Sequence, residues 1–292
     1  MKSLTALFLL FSVCAFAQTE SIFWKIEHPD IEKPSYLFGT YHLMNSGFLD
    51  VKAPKVLKAY QQADKVLVES KESDAPSDGL MQRYFFENPS ISEAVGPANS
   101  KLIDSIMQLR INTPLSTFDK TKPVLLAVLI GLEYHNQYIA DSGNYEGIPL
   151  DQYFDKEATA NEVPVFSLEQ PEESFGFLLD SISQSDQLKY LVLNCQYDSA
   201  MYRIAGVMFE SYKQNDVPRL MEITNYYDGL VTDISSYYIT EGRNRLWLPR
   251  LINHLESGNT FIAVGELHLT ESYGLVSLLR EQGYTLTPQS LE

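Results

Sequence analysis

Short runs of apolar, β-favouring residues recur near both ends of the chain and at two places between them. Such runs are typical of strands buried in a sheet. Two prolines separate the first pair of runs, which predicts a β-hairpin. The predicted strands cover residues 22–26, 35–38, 65–70, 163–169, 260–265 and 284–286.

Residues with helical periodicity separate these runs. The helix predicted for residues 55–62 connects the strand at 35–38 to the strand at 65–70, as in a right-handed βαβ unit. This unit places Glu69 at the carboxyl end of a strand, which we expect to lie beside the strand that leads to His42. Further helices are predicted within residues 148–162, 243–257 and 274–282.

Two longer segments, about 76–137 and 181–238, contain helical patterns and no convincing strand. We expect these helical insertions to pack together over the mouth of a site. The fold class that follows is α/β: a mixed central β-sheet with flanking helices and a helical insertion. Length and apolar content favour one domain over residues 18–292.

Two of the predicted strands end in the same short pattern, Gly-x-x-His. The first is Gly39 to His42, and the second is Gly265 to His268, in a chain with 5 histidines. Ligands of open α/β sheets bind at the carboxyl ends of the strands. The two histidines are therefore predicted to share one site, although each could instead cap a strand end by hydrogen bonding.

Imidazole and carboxylate groups together can bind a catalytic divalent metal ion if one position stays open for water. His42, His268 and Glu69 supply such a set, and we predict them as metal ligands and catalytic residues. Manganese, cobalt and zinc all accept these ligand types, so the residues do not choose among them. Gly39 and Gly265 would let the backbone turn sharply beside the ligand.

Three further residues are candidates for the same site. Glu266 would lie on the face of His268 if the strand continued, as a fourth ligand, a general base or a supporting residue. Arg243 and Asn244 begin a predicted helix, and their candidacy is implied by the family resemblance given below, in which they match an Arg-Asn pair. An arginine near the site could hold a substrate carboxylate or an oxyanion. The alternative for this pair is a structural role at the helix start. The remaining histidines, which we interpret as loop or helix-surface residues, are His28, His135 and His254.

Composition and missing motifs exclude several classes of function. The formal charge of -16 argues against nucleic acid as a partner, because binding it relies on clustered Lys and Arg. The chain has no His-Glu-x-x-His, Gly-x-Ser-x-Gly, P-loop or Gly-x-Gly-x-x-Gly motif. Thermolysin-type proteases, α/β-hydrolases, P-loop NTPases and Rossmann dehydrogenases are therefore disfavoured.

Residues 1–17 have a charged start, a short apolar core and an Ala-x-Ala end, as a secretory signal peptide does. We therefore expect export, to the periplasm or as a secreted protein. Removal of the signal takes away Cys14 and leaves Cys195 without a partner for an intramolecular disulfide. The apolar run at 124–132 is too short to span a bilayer, so the mature form is not expected to be transmembrane.

Several segments together resemble the TraB/PrgY/GumN family, with matching order and spacing across nearly the whole mature chain. They are residues 36–43, 63–69, 243–247, 261–269 and 283–286. This family includes the Tiki metalloproteases, and it is distantly similar to the haem-binding ChaN lipoproteins and the erythromycin esterases.

The resemblance implies a ChaN/Tiki-like fold and an exported, metal-dependent, peptidase-like hydrolase with His42, His268 and Glu69 as ligands. Asp151 and Glu169 match acidic positions of the family, where helix capping and strand-end hydrogen bonding are equally good interpretations. The chain departs from the family pattern at Glu266, usually a small or apolar residue, and at Glu271, usually glycine.

Three alternatives to a metallohydrolase stay open at this point. The chain could bind haem through an exposed histidine, act as a metal-free, esterase-like hydrolase with a histidine base, or bind peptides as a regulator without turnover. The partner in each case is a peptide or another small molecule. The sequence leaves the oligomeric state open.

Overall fold

A computed structural model describes residues 21–74, 79, 83–85, 89–231, 240–270 and 272–292. Its strands form one mixed six-stranded sheet, in the order β4-β3-β5-β2-β1-β6. The predicted α/β fold with a mixed central sheet is therefore confirmed. The strands are β1 (Phe23–Glu27), β2 (Ser35–Thr40), β3 (Lys65–Val68), β4 (Val165–Ser167), β5 (Thr260–Gly265) and β6 (Thr285–Pro288).

The central strands are parallel, so their carboxyl ends meet at one edge of the sheet. β5 pairs in parallel with β2 on one side, where Thr40 lies opposite Gly265. It pairs with β3 on its other side, where Val68 lies opposite Ala263. Antiparallel β1 and β6 complete the sheet beyond β2. The residues that follow β2, β3 and β5 therefore come together.

The prediction that β3 lies beside β2 is wrong, because β5 lies between them. All six residues of β5 are buried, and those on opposite faces belong to different cores. A strand that is apolar on both faces is best covered at the centre of a sheet. β5, from the far end of the chain, takes that place, and the helix after β2 therefore leads to a strand one position further away.

The structure contains these helices in its described parts. They are α1 (Gly47–Lys52), α2 (Pro54–Gln61), α3 (Ile91–Ile111), α4 (Pro123–Ser142), α5 (Leu150–Ala160), α6 (Pro171–Leu179), α7 (Gln184–Gln196), α8 (Asp198–Lys213), α9 (Val217–Val231), α10 (Gly242–Glu256) and α11 (Leu275–Glu281).

Each face of the sheet carries its own hydrophobic core. On one face, Phe38 and Phe261 pack with Phe154 of α5. On the other, Ile262 belongs to the same cluster as Trp247 of α10. Alternating residues of β5 thus serve both cores, as the period of two in a strand requires.

A third core lies among helices of the two segments predicted as insertions. Helices α3 and α4 contact α7, and α4 also contacts α8. Ile130 of α4, Leu191 of α7 and Ile204 of α8 are among the buried residues that they share. No strand occurs in the described parts of these segments, although Phe85 and Thr121 form one isolated bridge.

Several predictions fall on residues outside the described ranges. The signal peptide at 1–17 is one, Glu271 is another, and parts of both predicted insertions are others. Among the helices that are described, none combines the length and apolar character needed to cross a membrane.

Candidate functional site

The ends of β2, β3 and β5 bring most of the predicted site residues together. Glu69 directly follows β3, and β5 continues into a 3₁₀ turn over Glu266–His268. The backbone of β2 lies very close to the turn that follows β5, since a Cβ added at Gly39 would lie 2.9 Å from the Cα of Glu266. Glycine is therefore the residue that fits at the end of β2.

Arg243 lies at the centre of the cluster, although only 14% of its side chain is exposed. It comes from the first turn of α10. Its Nη2 donates to Oε2 of Glu69 at 2.5 Å and to Oε1 of Glu169 at 2.6 Å. Glu169 is buried, and its Oε2 also accepts a hydrogen bond of 2.9 Å from Nε1 of Trp247. One guanidinium thus joins two carboxylates inside the protein.

His268 is buried behind this arginine and makes a hydrogen bond through each ring nitrogen. Nε2 lies 3.1 Å from Nη1 of Arg243, which can only donate, so Nε2 accepts. The proton is then on Nδ1, which donates to Oδ1 of Asn244 at 2.7 Å. Burial lowers the pKa of His268 to about 3, and the ring is neutral near neutral pH.

Asn244 is itself fixed, which sets the orientation of the histidine ring. It is fully buried, and its Nδ2 donates to the backbone oxygens of His268 and Tyr273. The amide oxygen must therefore face Nδ1 of His268. The indole of Trp247 completes the support, with its ring centroid 4.4 Å from that of the imidazole.

Both oxygens of Glu69 have hydrogen-bond donors. Oε1 accepts from the backbone N–H of Gly265 at 2.7 Å, and Oε2 accepts from Arg243. Burial acts to raise the pKa of Glu69, but the charge of Arg243, the neighbouring histidines and the Gly265 N–H together hold it well below its ordinary value. Glu69 is therefore a carboxylate at neutral pH.

His42 is the exposed histidine of the site, with 62% of its side chain accessible. Its Nδ1 lies 3.1 Å from Oδ2 of Asp151, in the first turn of α5. This hydrogen bond, helped by the nearby carboxylates Glu69 and Glu266, raises the pKa of His42 to about 9. Because water screens the exposed pair, we assign it little stabilisation.

Glu266 is buried beside these groups, with 6% of the residue exposed. A shared strand face with His268 was expected only if the strand continued, and β5 ends at Gly265. The chain then turns, Leu269 N–H donates to the Glu266 carbonyl, and Leu269 enters the core around Trp247. Burial raises the pKa of Glu266 to about 7.

A polar pocket of about 310 Å³ opens at this edge of the sheet. His42, Glu69, Asp151 and Arg243 line it, while His268 lies behind the arginine. Most of the residues that line it are polar, because they come from strand ends and from the first turn of α5. The other lining residues are Thr40, Val68, Ser70, Lys71, Glu72, Gln152, Asp155, Glu169, Ser174 and Ala263.

The predicted metal ligands can be tested against this geometry. Nε2 of His268 and Oε1 of Glu69 lie 3.9 Å apart, within the ~4.2 Å that two bonds of ~2.1 Å to one ion can span. However, Arg243 donates to that Nε2 and to the Glu69 carboxylate. Within the described residues, no group of three or more His, Cys, Asp or Glu side chains could hold a metal ion. His42, Glu69 and His268 thus do not fit an ion as they lie.

Some parts of the site were not predicted from the sequence. His135, interpreted as a surface residue, is half-buried, and its Nδ1 lies 2.7 Å from the hydroxyl of Tyr41, next to His42. Burial lowers the pKa of His135 to about 4, so the neutral ring accepts and the hydroxyl donates.

The hydrogen bond from Trp247 to Glu169 was not predicted either, since Trp247 fitted the apolar face of its helix. His28 and His254 lie outside the cluster, against the rings of Tyr284 and Phe166.

Comparison with known proteins gives the family of the chain. Neither the curated proteins nor the solved structures gave a match. The family model described as the TraB/PrgY/gumN family matches residues 22–288. This range includes all six strands and every residue of the cluster described above. The chain belongs to the TraB/PrgY/gumN family.

Proposed function

We propose that the protein is a hydrolase of peptide or related acyl bonds that acts in the strand-end pocket. The observation that carries this proposal is the pair formed by His42 and Asp151, an exposed imidazole oriented by a carboxylate on the pocket wall. Asp151 engages Nδ1 and leaves Nε2 directed to other partners, such as a substrate or water. A positioned imidazole is the commonest group for proton transfer in enzymes.

The roles that we assign follow from the charge states of the groups. With a pKa of about 9, His42 carries a proton near neutral pH and can give it to a leaving amine. Glu266 is buried beside His42 and Glu69 and is not among the residues that line the pocket. Because its pKa is about 7, we assign to it the proton that is released when water attacks. The C–N bond breaks as the new C–O bond forms, and exchange with solvent then restores both protonation states.

Arg243 has a positioning role in this scheme. Its hydrogen bonds hold Glu69 as a fixed carboxylate and keep His268 neutral and oriented. The ionised Glu69 in turn favours the protonated form of His42. The positive charge that a metal ion would supply at this place is supplied by the guanidinium.

The test is hydrolysis of an internally quenched peptide library by the purified protein. We expect cleavage by the wild type, and a loss of kcat/KM of ~10²-fold or more for His42→Ala and Asp151→Asn, as is typical of a lost general acid. Their thermal midpoints should stay near that of the wild type. His254→Ala, outside the pocket, is the matched control and should keep full activity. A wild type that cleaves no peptide or ester would refute the proposal.

A metal-dependent reaction is the second candidate, favoured by the 3.9 Å between Nε2 of His268 and Oε1 of Glu69. The metal-free and the metal-dependent reaction are distinguished by repeating the assay with EDTA and then with manganese, cobalt or zinc added singly. The described geometry leads us to expect activity that EDTA does not change. Loss of activity and its recovery with one ion would establish the second candidate.

Binding of haem is tested by absorption spectroscopy. A Soret band that appears on adding haem and is absent in His42→Ala would favour a haem-binding protein if no cleavage is seen.

A further inference from the structure

A second cavity, of about 250 Å³, lies inside the helical layer. Helices α4, α7, α8 and α9 contribute to it, together with the turn that follows β5. Its walls carry Met201, Met208 and Met221 beside Tyr134 and Ile204. Unbranched methionine side chains adapt to differently shaped apolar ligands. The cavity therefore suits an apolar group whose shape varies.

Three of the polar groups in the wall are bonded to one another. The hydroxyls of Tyr190 and Tyr227 lie 2.5 Å apart, and the Tyr227 hydroxyl donates to Oδ1 of Asn194 at 3.3 Å. Asp228 also lines the cavity, and burial raises its pKa to about 6. Tyr190, Tyr227 and Asn194 satisfy one another in this way, so these three groups do not require a strongly hydrogen-bonding ligand.

The cavity and the strand-end pocket share no lining residue, but sequence neighbours of the site residues line the cavity. Leu267 and Thr270, on either side of His268, line it. So does His135, which binds the hydroxyl of Tyr41, the residue before His42. The turn that holds His268 and the helix that carries His135 therefore form part of the cavity wall and also lie next to the strand-end site.

We propose that this cavity binds one apolar side chain of the substrate, of a size between leucine and phenylalanine. This proposal rests on the hydrolase function proposed above and adds the substrate class, peptides with an apolar residue near the cleaved bond. A cavity of 150 Å³ with apolar walls is known to bind benzene, so about 250 Å³ is enough for a benzyl group.

Gly131 offers a direct way to fill the cavity. It lies in α4 and lines the wall, and a Cβ added there would meet no atom within 4 Å. The Cβ of Gly131→Phe meets open space, and we expect its ring to fill the cavity, whereas Gly131→Ala leaves most of it open. Gly229→Phe is the matched control, because Gly229 lies exposed on α9, outside the cavity wall, and its Cβ also meets nothing.

Binding is measured separately from turnover, by saturation-transfer NMR with N-acetylphenylalaninamide and N-acetylglycinamide. We expect the wild type, Gly131→Ala and Gly229→Phe to bind the phenylalanine probe, and Gly131→Phe to lose that signal. No signal from the wild type, or an unchanged signal from Gly131→Phe, would overturn the proposal.

Cleavage of matched peptides then tests the link to the reaction. Wild-type kcat/KM should be at least about tenfold higher for a peptide with leucine or phenylalanine near the cleaved bond than for one with glycine, and Gly131→Phe should abolish this preference. Probe binding without any cleavage would refute the hydrolase and leave the cavity as a binding site. Cleavage without the preference would refute the substrate class alone.

Discussion

At the scale of residues, the guanidinium of Arg243 neutralises two carboxylates, Glu69 and Glu169. The paired Gly-x-x-His motifs and the family resemblance predicted one site for His42, His268, Glu69 and Arg243. In the structure these residues lie close together. The residue types alone suggest a metal site, since imidazole and carboxylate are metal ligands. Which group neutralises Glu69 depends on distances of a few ångströms between distant segments. The folded chain places a guanidinium there.

Removal of this guanidinium should cost the protein much of its stability. Arg243→Ala leaves Glu69 and the buried Glu169 without their cation, and breaking a buried ion pair in this way costs about 3–5 kcal/mol. Urea unfolding followed by circular dichroism gives the free energy of unfolding. Arg219→Ala removes the exposed pair with Glu222 and should cost under about 1 kcal/mol. Equal effects of the two variants would contradict the central role of Arg243.

At the scale of elements, local patterns located the strands, and long-range packing decided their order. The apolar runs and the turn signals predicted the strands and the hairpin. Predicted β3 ran to Ser70, whereas the observed strand ends at Val68. Its neighbour could not be found from local sequence, because β5 is separated from it by nearly two hundred residues. What selects β5 as neighbour is burial of both its faces.

The close contact between the end of β2 and the turn after β5 can be tested by its effect on stability. Gly39→Ala should destabilise the protein by about 1–3 kcal/mol, since the new Cβ would lie 2.9 Å from a backbone atom of Glu266. Gly131→Ala, in an open helical position, should stabilise it by up to about 1 kcal/mol. Thermal and urea unfolding of both variants provide the comparison. A neutral Gly39→Ala would show that the two segments do not lie so close.

At the scale of the whole molecule, two sets of buried ionisable groups make the stability depend on pH in opposite directions. His268 and His135 have pKa values lowered to about 3 and about 4, so they reduce stability as the pH falls below their ordinary value of 6.5. Glu266 and Asp228 have pKa values raised to about 7 and about 6, so their protonation below these values adds stability. The two effects oppose each other between about pH 4.5 and pH 6, where we expect stability to change little.

The contribution of Glu266 can be isolated with Glu266→Gln, whose neutral amide resembles the protonated carboxyl. Because burial raises the pKa of Glu266 from 4.5 to about 7, the folded wild type holds a proton that the unfolded chain releases above pH 4.5. Wild-type stability should therefore fall relative to the variant as the pH rises from 4.5 to 7, by up to about 3 kcal/mol, and the difference should then stay constant. Urea unfolding of both proteins between pH 4.5 and pH 8 measures this difference. If the difference did not change with pH, Glu266 would not be the buried, proton-accepting carboxyl that the proposed reaction needs.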